Sequence, residues 1–180
     1  MMVGVRIRET RESKGISLRK LAAMVEVSAS LISQVETGKV DPSLSTLRKI
    51  AIALDVPLFS FVLTDAAGPK RIIRKHERRP VVFPKAGLKY EIIHSDLNKK
   101  MAVHIGTLSP KGATSETPLN HPGEECLVIL EGTMRVVLGD EIIELQEGDS
   151  LYFDSSIPHR LFNSESGVCR FYLIITPPKF

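Results

Sequence analysis

Tryptophan is absent from these 180 residues, and aromatic residues together make up only 6%. That leaves little material for a site that stacks sugar rings on aromatic faces. Cysteine occurs twice, as Cys126 and Cys169. No apolar leader is visible in Met1-Met2-Val3-Gly4-Val5-Arg6, so export is not expected and the two cysteines are read as buried free thiols. No apolar run approaches the roughly 18 residues that a membrane-spanning helix needs. The expected compartment is therefore the cytoplasm. What is present, 43% hydrophobic and 25% charged residues, is the composition of folded globular protein, long enough for one generous domain or two small ones.

The net charge of +3 is unevenly distributed. Residues 1–64 carry nine Lys/Arg and six Asp/Glu; residues 65–85 carry seven and two; residues 86–180 carry eight and thirteen. A basic first half joined to an acidic second half suggests a polyanion partner at one end only.

Hydrophobic periodicity divides the chain in the same place. Up to residue 64 the spacing predicts five short helices. The first is stopped by Gly15, the second and third are capped by Ser17 and Ser28, the fourth opens at Asp41-Pro42-Ser43, and the fifth follows Pro57. Elements this short bury their apolar stripes only against one another. Residues 65–84 read as a basic linker with Lys70, Arg71, Arg74, Lys75, Arg78 and Arg79, either a solvated tether or a segment that follows a DNA backbone. From residue 85 to 180 the pattern changes to short strand-like runs: Tyr90–His94, Met101–Leu108, Glu124–Leu130, Met134–Leu138, Ile142–Leu145, Ser150–Phe153, His159–Phe162 and Val168–Thr176. Such runs, punctuated by Gly, Pro, Asp and Ser, imply a sandwich or small barrel.

The densest motif runs from Ser17 to Gly38. Leu21-Ala22 places a small residue where two helices cross, Val27 plugs a tight turn, and Ile32 and Val35 pack the following helix back on the first. Ala29, Ser30, Ser33 and Gln34 are left facing outward, and Ser28, which caps their helix, joins them as a candidate DNA contact. This segment resembles the phage-repressor-like (lambda-repressor-like) helix-turn-helix of the xenobiotic-response-element regulators. The resemblance implies that the second of these helices enters the major groove of double-stranded DNA. Gln34 has the paired donor and acceptor to read an adenine edge, Ser30 and Ser33 reach base or phosphate, and Ala29 offers an apolar contact to a thymine methyl. Ser17 and Lys39 are placed to meet phosphates. The resemblance also implies an internal ion pair between Arg11 and Glu36.

A second pattern spans residues 121–163: His121, Glu125, Gly132, Gly148, His159 and Asn163. It is similar to the paired motifs of the cupin, a double-stranded β-helix barrel. There, histidines and a glutamate hold a divalent metal. His121, Glu125 and His159 match that set, while Leu119 stands where the first histidine falls and Asp154 and Ser156 replace a proline and a glycine. Two readings stay open. His121, Glu125 and His159 hold Zn²⁺, Mn²⁺, Fe²⁺ or Ni²⁺ with open positions, or Leu119 and these three line a pocket for an organic effector, with Glu125 able to pair with an amine. His94 and His104 read as structural, His76 as solvated, and Cys126 as turned away from the pocket.

The resemblances imply an all-α DNA-binding domain followed by an all-β cupin, in a homodimeric transcriptional regulator that senses a small molecule and is not an enzyme. Alternatives are a cupin metalloenzyme of dioxygenase or isomerase type with a DNA-binding appendage, or a constitutive DNA binder whose cupin serves only to dimerise.

Overall fold

The computed structural model describes residues 2–62, 71–94 and 100–178, which fall into two compact units divided between residues 62 and 71. In the first unit, α1 spans Met2–Ser13, α2 Leu18–Val25, α3 Ala29–Glu36 and α4 Leu44–Ala53. The hydroxyls of Ser17, Ser28 and Ser43 each accept from the backbone N–H three residues on, at 3.2, 3.1 and 3.1 Å, which fixes where α2, α3 and α4 begin. Ile7, Leu21, Val25, Ile32, Val35 and Ile50 form the centre of the core. A Cβ at Gly4 would collide with the Val35 carbonyl, so glycine lets α1 lie directly on α3.

The fifth expected helix is a four-residue 3₁₀ turn, Leu58–Phe61. Leu58, Phe59 and Phe61 are buried as their spacing implied, but so short a segment follows its packing rather than helix propensity.

Arg11 and Glu36 meet as the resemblance implied. Arg11 Nε and Nη2 donate to the two carboxylate oxygens of Glu36 at 2.6 and 2.9 Å, and Nη1 donates to the Ile16 carbonyl at 2.9 Å. One buried fork thus ties α1, the α1–α2 turn and the end of α3 together.

The second unit is antiparallel throughout. A six-stranded sheet runs β1-β2-β3-β9-β4-β7 and a three-stranded sheet runs β6-β5-β8. The strands are β1 Arg79–Phe83, β2 Leu88–Ile92, β3 Ala102–Leu108, β4 Glu124–Glu131, β5 Met134–Leu138, β6 Glu141–Leu145, β7 Ser150–Asp154, β8 His159–Phe162 and β9 Cys169–Thr176. Leu88, Leu127, Ile129, Phe171 and Leu173 of the larger sheet and Met134, Val136 and Leu161 of the smaller one are buried. The Phe171 ring occupies the space that a Cβ at Gly106 would fill.

Eight strands lie where alternation placed them; β1 lies where a linker was expected. Arg79-Pro80 reads as basic, proline-broken chain, yet an edge strand tolerates both a proline and outward charge. Val81 is the residue that β1 buries. Of the other linker residues, Lys75–Glu77 form a 3₁₀ turn, Arg78 sits 3.4 Å from Glu91, and Lys70 lies outside the described residues. Cys126 and Cys169 are both free thiols, with Cys169 buried and Cys126 half-buried. No helix among the described residues is long and apolar enough to cross a membrane.

His104, 1% exposed, lies in an inward row between Ile92 and Leu173, its ring 5.1 Å from that of His94. Burial, reinforced by the neighbouring His94, pushes its pKa from the ordinary 6.5 down to about 3.

Two predictions follow from these buried groups. Arg11→Met strands the Glu36 carboxylate and is expected to destabilise the helical unit by about 3 kcal/mol, whereas Arg11→Met with Glu36→Leu recovers most of the loss. Urea unfolding followed by helical circular dichroism measures both. His104 stays neutral in the fold while the unfolded chain takes up a proton, so its stabilising contribution is complete above pH 6.5 and is lost as pH falls toward 3. The loss amounts to about 1.4 kcal/mol per pH unit within that window. Unfolding of the barrel at pH 7 and pH 5 should show it, and His104→Leu should flatten the slope; an unchanged slope would assign the acid sensitivity to other groups.

Candidate functional site

The helical unit presents one continuous polar face. A capped helix start at Ser28 and a core-facing Ile32 and Val35 leave Ser30, Ser33 and Gln34 exposed on α3, with Ala29 half-buried at its first turn. Gln34 Nε2 lies 3.4 Å from the Ser30 hydroxyl one turn earlier, so the two polar groups share a side of the helix. Ser17 and Ser28 are exposed, but each hydroxyl already caps a helix; what they offer a phosphate is the capped N-terminus itself. Lys39 is exposed just beyond α3. Glu26, in the α2–α3 turn, adopts a left-handed backbone with φ 59° and pairs with Lys49 of α4 at 3.2 Å. Because that contact joins residues 23 apart, the sequence pattern carried no sign of it.

In the barrel, β4 brings in Glu125, β8 begins with His159, and the strap leading into β4 carries His121. All three are buried, and their ligand atoms lie within 4.8 Å of one another. His121 Nε2 is 2.8 Å and His159 Nε2 3.4 Å from the same oxygen, Glu125 Oε1. The two imidazoles meet edge to face, their centroids 5.1 Å apart, and the Phe153 ring stands 5.1 Å from His159. Since β4 belongs to the larger sheet and β8 to the smaller, the cluster spans both sheets.

Protonation in the cluster follows from its partners. His159 Nδ1 lies 2.9 Å from the Ile157 carbonyl, which only accepts, so Nδ1 donates there and Nε2 is the atom turned toward Glu125. Burial alone would raise the Glu125 pKa, but hydrogen bonds from His121 and His159 outweigh it and bring it down to about 2. A buried carboxylate with two imidazole Nε2 atoms at 2.8 and 3.4 Å is answered by a positive charge, whether a proton on an imidazole, an ammonium group or a metal ion.

Leu119 stands beside His159. The two residues exchange backbone hydrogen bonds, Leu119 N–H to the His159 carbonyl at 3.0 Å and the reverse at 2.9 Å, and residues paired in this way place their side chains on one face. Asn163, the last residue of the expected pattern, is buried away from any ligand role. Its Nδ2 donates to the carbonyls of Leu108, Ser109 and Gly167 and its Oδ1 accepts from Glu165 N–H, so it clamps a turn. Phe153 and Ser155 of the same wall were not assignable from sequence, because their facing depends on the β4–β7 register.

Residues 7–61 match the Helix-turn-helix family and residues 105–175 the Cupin domain family. The HTH-type transcriptional regulator PuuR of Escherichia coli (strain K12) is 28% identical over 178 residues, covering 98% of this chain and 96% of that protein. A crystal structure of an HTH_3 family transcriptional regulator from Vibrio cholerae superposes with a TM-score of 0.79 at 25% identity, covering 97% and 94% of the two chains. The hydroxypropylphosphonic acid epoxidase from S. wedmorenis shares the fold, with a TM-score of 0.51 at 17% identity over 97% and 96% of the chains. The chain is thus built of a helix-turn-helix domain of the xenobiotic-response-element type followed by a cupin domain.

Proposed function

We propose that this chain is a cytoplasmic, DNA-binding transcriptional regulator that acts as a homodimer and binds a small-molecule effector in its cupin barrel. The observation that carries the reading is the exposed face of Ser30, Ser33 and Gln34 on a helix whose seat is fixed by the Arg11–Glu36 fork. Ser17, Ser28 and Lys39 flank that face and meet phosphate, and Ala29 offers its methyl group to a thymine methyl. Near end-to-end similarity to a transcriptional regulator supports it, whereas the likeness to the epoxidase is one of fold. Dimerisation sets two such helices on half-sites one DNA turn apart. The outer side of the six-stranded sheet offers a second copy Val103, Cys126, Val128, Tyr152, Tyr172 and Ile174, all half-buried or exposed.

In the barrel, Glu125 attracts the cationic part of the effector, His121 and His159 orient it, and Leu119 covers its apolar part. A second reading rests on the convergence of two Nε2 atoms on one carboxylate oxygen. His121, Glu125 and His159 form a donor set that fits a first-row divalent ion such as Zn²⁺, Mn²⁺, Fe²⁺ or Ni²⁺. Bound there, the ion would act as a Lewis acid with open positions for the effector. Leu119 keeps the set at three protein ligands.

Gln34→Ala is expected to weaken operator binding by about 1–3 kcal/mol while leaving binding to unrelated DNA nearly unchanged. Fluorescence anisotropy with both duplexes tests this, and equal losses on the two would remove Gln34 from base readout. Thermal-shift screening against amines, amino acids and small acids, each with and without a divalent ion, is expected to find a stabilising compound. Glu125→Gln should abolish that shift and keep operator affinity. A Glu125→Gln protein that folds but no longer binds the operator, or that keeps the shift, would overturn the pocket assignment.

A further inference from the structure

Most of the buried polar side chains described in the barrel have partners. Thr114 Oγ1 accepts from Leu161 N–H at 3.2 Å, Asn163 is bonded on both amide atoms, and Glu125 lies against two imidazoles. Ser155 is different. It is 0% exposed, and its hydroxyl has no hydrogen-bond partner among the described residues. Ser115 Oγ shares that condition, on the strap beside Arg160, whose Nε donates to the Ser115 carbonyl.

Ser155's surroundings connect it to the triad. Phe153 of β7 is buried, Asp154 at the strand's end is exposed, and Ser155 in the turn that follows is buried again. Phe153 is the strand partner of Glu125 and stands against His159. Ser155 N–H donates to the Gly123 carbonyl at 2.8 Å, and its carbonyl accepts from His121 N–H at 2.9 Å. The turn is held from both sides: Ser156 N–H donates to Asp154 Oδ1 at 2.8 Å and Asn120 Nδ2 to the Ser156 carbonyl at 3.2 Å. The hydroxyl is thus buried away from water in a turn bonded on both sides. Leaving it unpaired is costly, and such groups persist where a ligand completes them.

We propose that Ser155 is a further ligand-contacting residue of the triad site. Its hydroxyl hydrogen-bonds an oxygen atom, of water or of a carboxylate, in an open position of a divalent ion held by His121, Glu125 and His159. The proposal rests on the metal reading above. Three protein donors leave such positions open on an ion of four to six ligands. Leu119 and Phe153, the apolar neighbours, offer an oxygen no hydrogen bond, so Ser155 supplies one: it donates to a carboxylate or accepts from bound water. The site would then favour small oxygen anions, carboxylates above all, over ligands without an oxygen acceptor.

The test uses full-length protein, Co²⁺ as the ion and acetate as the oxygen ligand, with visible absorption as the readout and Ser155→Ala as the variant. Both proteins are expected to bind one Co²⁺ with affinities within about twofold, since the three donors are intact. Acetate should bind the cobalt form of the variant roughly tenfold more weakly, the effect of one hydrogen bond to a charged group. The metal-free variant should melt at the same temperature as the parent or higher, because it loses an unpaired buried hydroxyl. Equal acetate affinities would overturn the proposal, and so would a metal-free variant that melts several degrees lower, which would make the hydroxyl structural. Absence of cobalt uptake by the unsubstituted protein would overturn the metal reading and the proposal with it, leaving the DNA-binding reading in place.

Discussion

A carboxylate taken out of water has to be neutralised where it sits. Two glutamates among the described residues are buried, one in each unit: Glu36, 6% exposed, and Glu125, 4% exposed. Burying such a group alone costs several kcal/mol, so the residues that answer it are as constrained as the glutamate. Glu36 is answered by a guanidinium, which is charged at any physiological pH and matches both oxygens at once. Glu125 is answered by imidazoles, which are positive only when they hold an extra proton and otherwise present a lone pair. The first solution is permanent. The second is conditional, and a conditional counter-charge is what a binding site for a cation requires.

Each pairing also organises the chain around it. Arg11 reaches from α1 to the last residue of α3 and to the Ile16 carbonyl, and Gly4 lets the same two helices close on each other. The exposed side of α3, with Ser30, Ser33 and Gln34, is thereby set by contacts on its opposite side. In the barrel, Glu125 links β4 of one sheet to β8 of the other through His159, and to the strap through His121. His104, also on the inner wall, shows the alternative outcome for a buried imidazole: burial, with His94 beside it, holds it neutral.

How much of this was readable in the sequence depended on how local each cause is. Helix starts were legible because a serine cap acts within three residues, as at Ser17, Ser28 and Ser43. The outward set on α3 was legible because one contiguous helix carries it. Eight strands were legible from alternation, but β1 was hidden by Arg79 and Pro80, which suit an edge as well as a tether. The triad was legible only through motif spacing, since Glu125 and His159 lie 34 positions apart and on different sheets. Ser155 was not legible at all. Its facing depends on pairing across β7 and β4 and on a strap that no local pattern predicts.

In the proposed regulator, an occupant of the barrel would act through the strap and turn that carry His121 and His159. His121 and His159 are not anchored independently. The strap carrying one is bonded to the turn carrying the other through Leu119, His121 and Asn120 on one side and His159, Ser155 and Ser156 on the other. A cation or effector that draws the two imidazoles apart therefore moves strap and turn as a pair, rather than one side chain alone. Leu119 bears on the same point: a third histidine there would hold an ion more tightly and exchange it more slowly, whereas three donors and an apolar wall favour reversible occupancy. The size of any response in DNA binding is then bounded by how differently the ligand binds the two arrangements of that pair. Tight binding to both would signal nothing, so a site of three donors and an apolar wall would suit the proposed sensing role better than a closed metal cage.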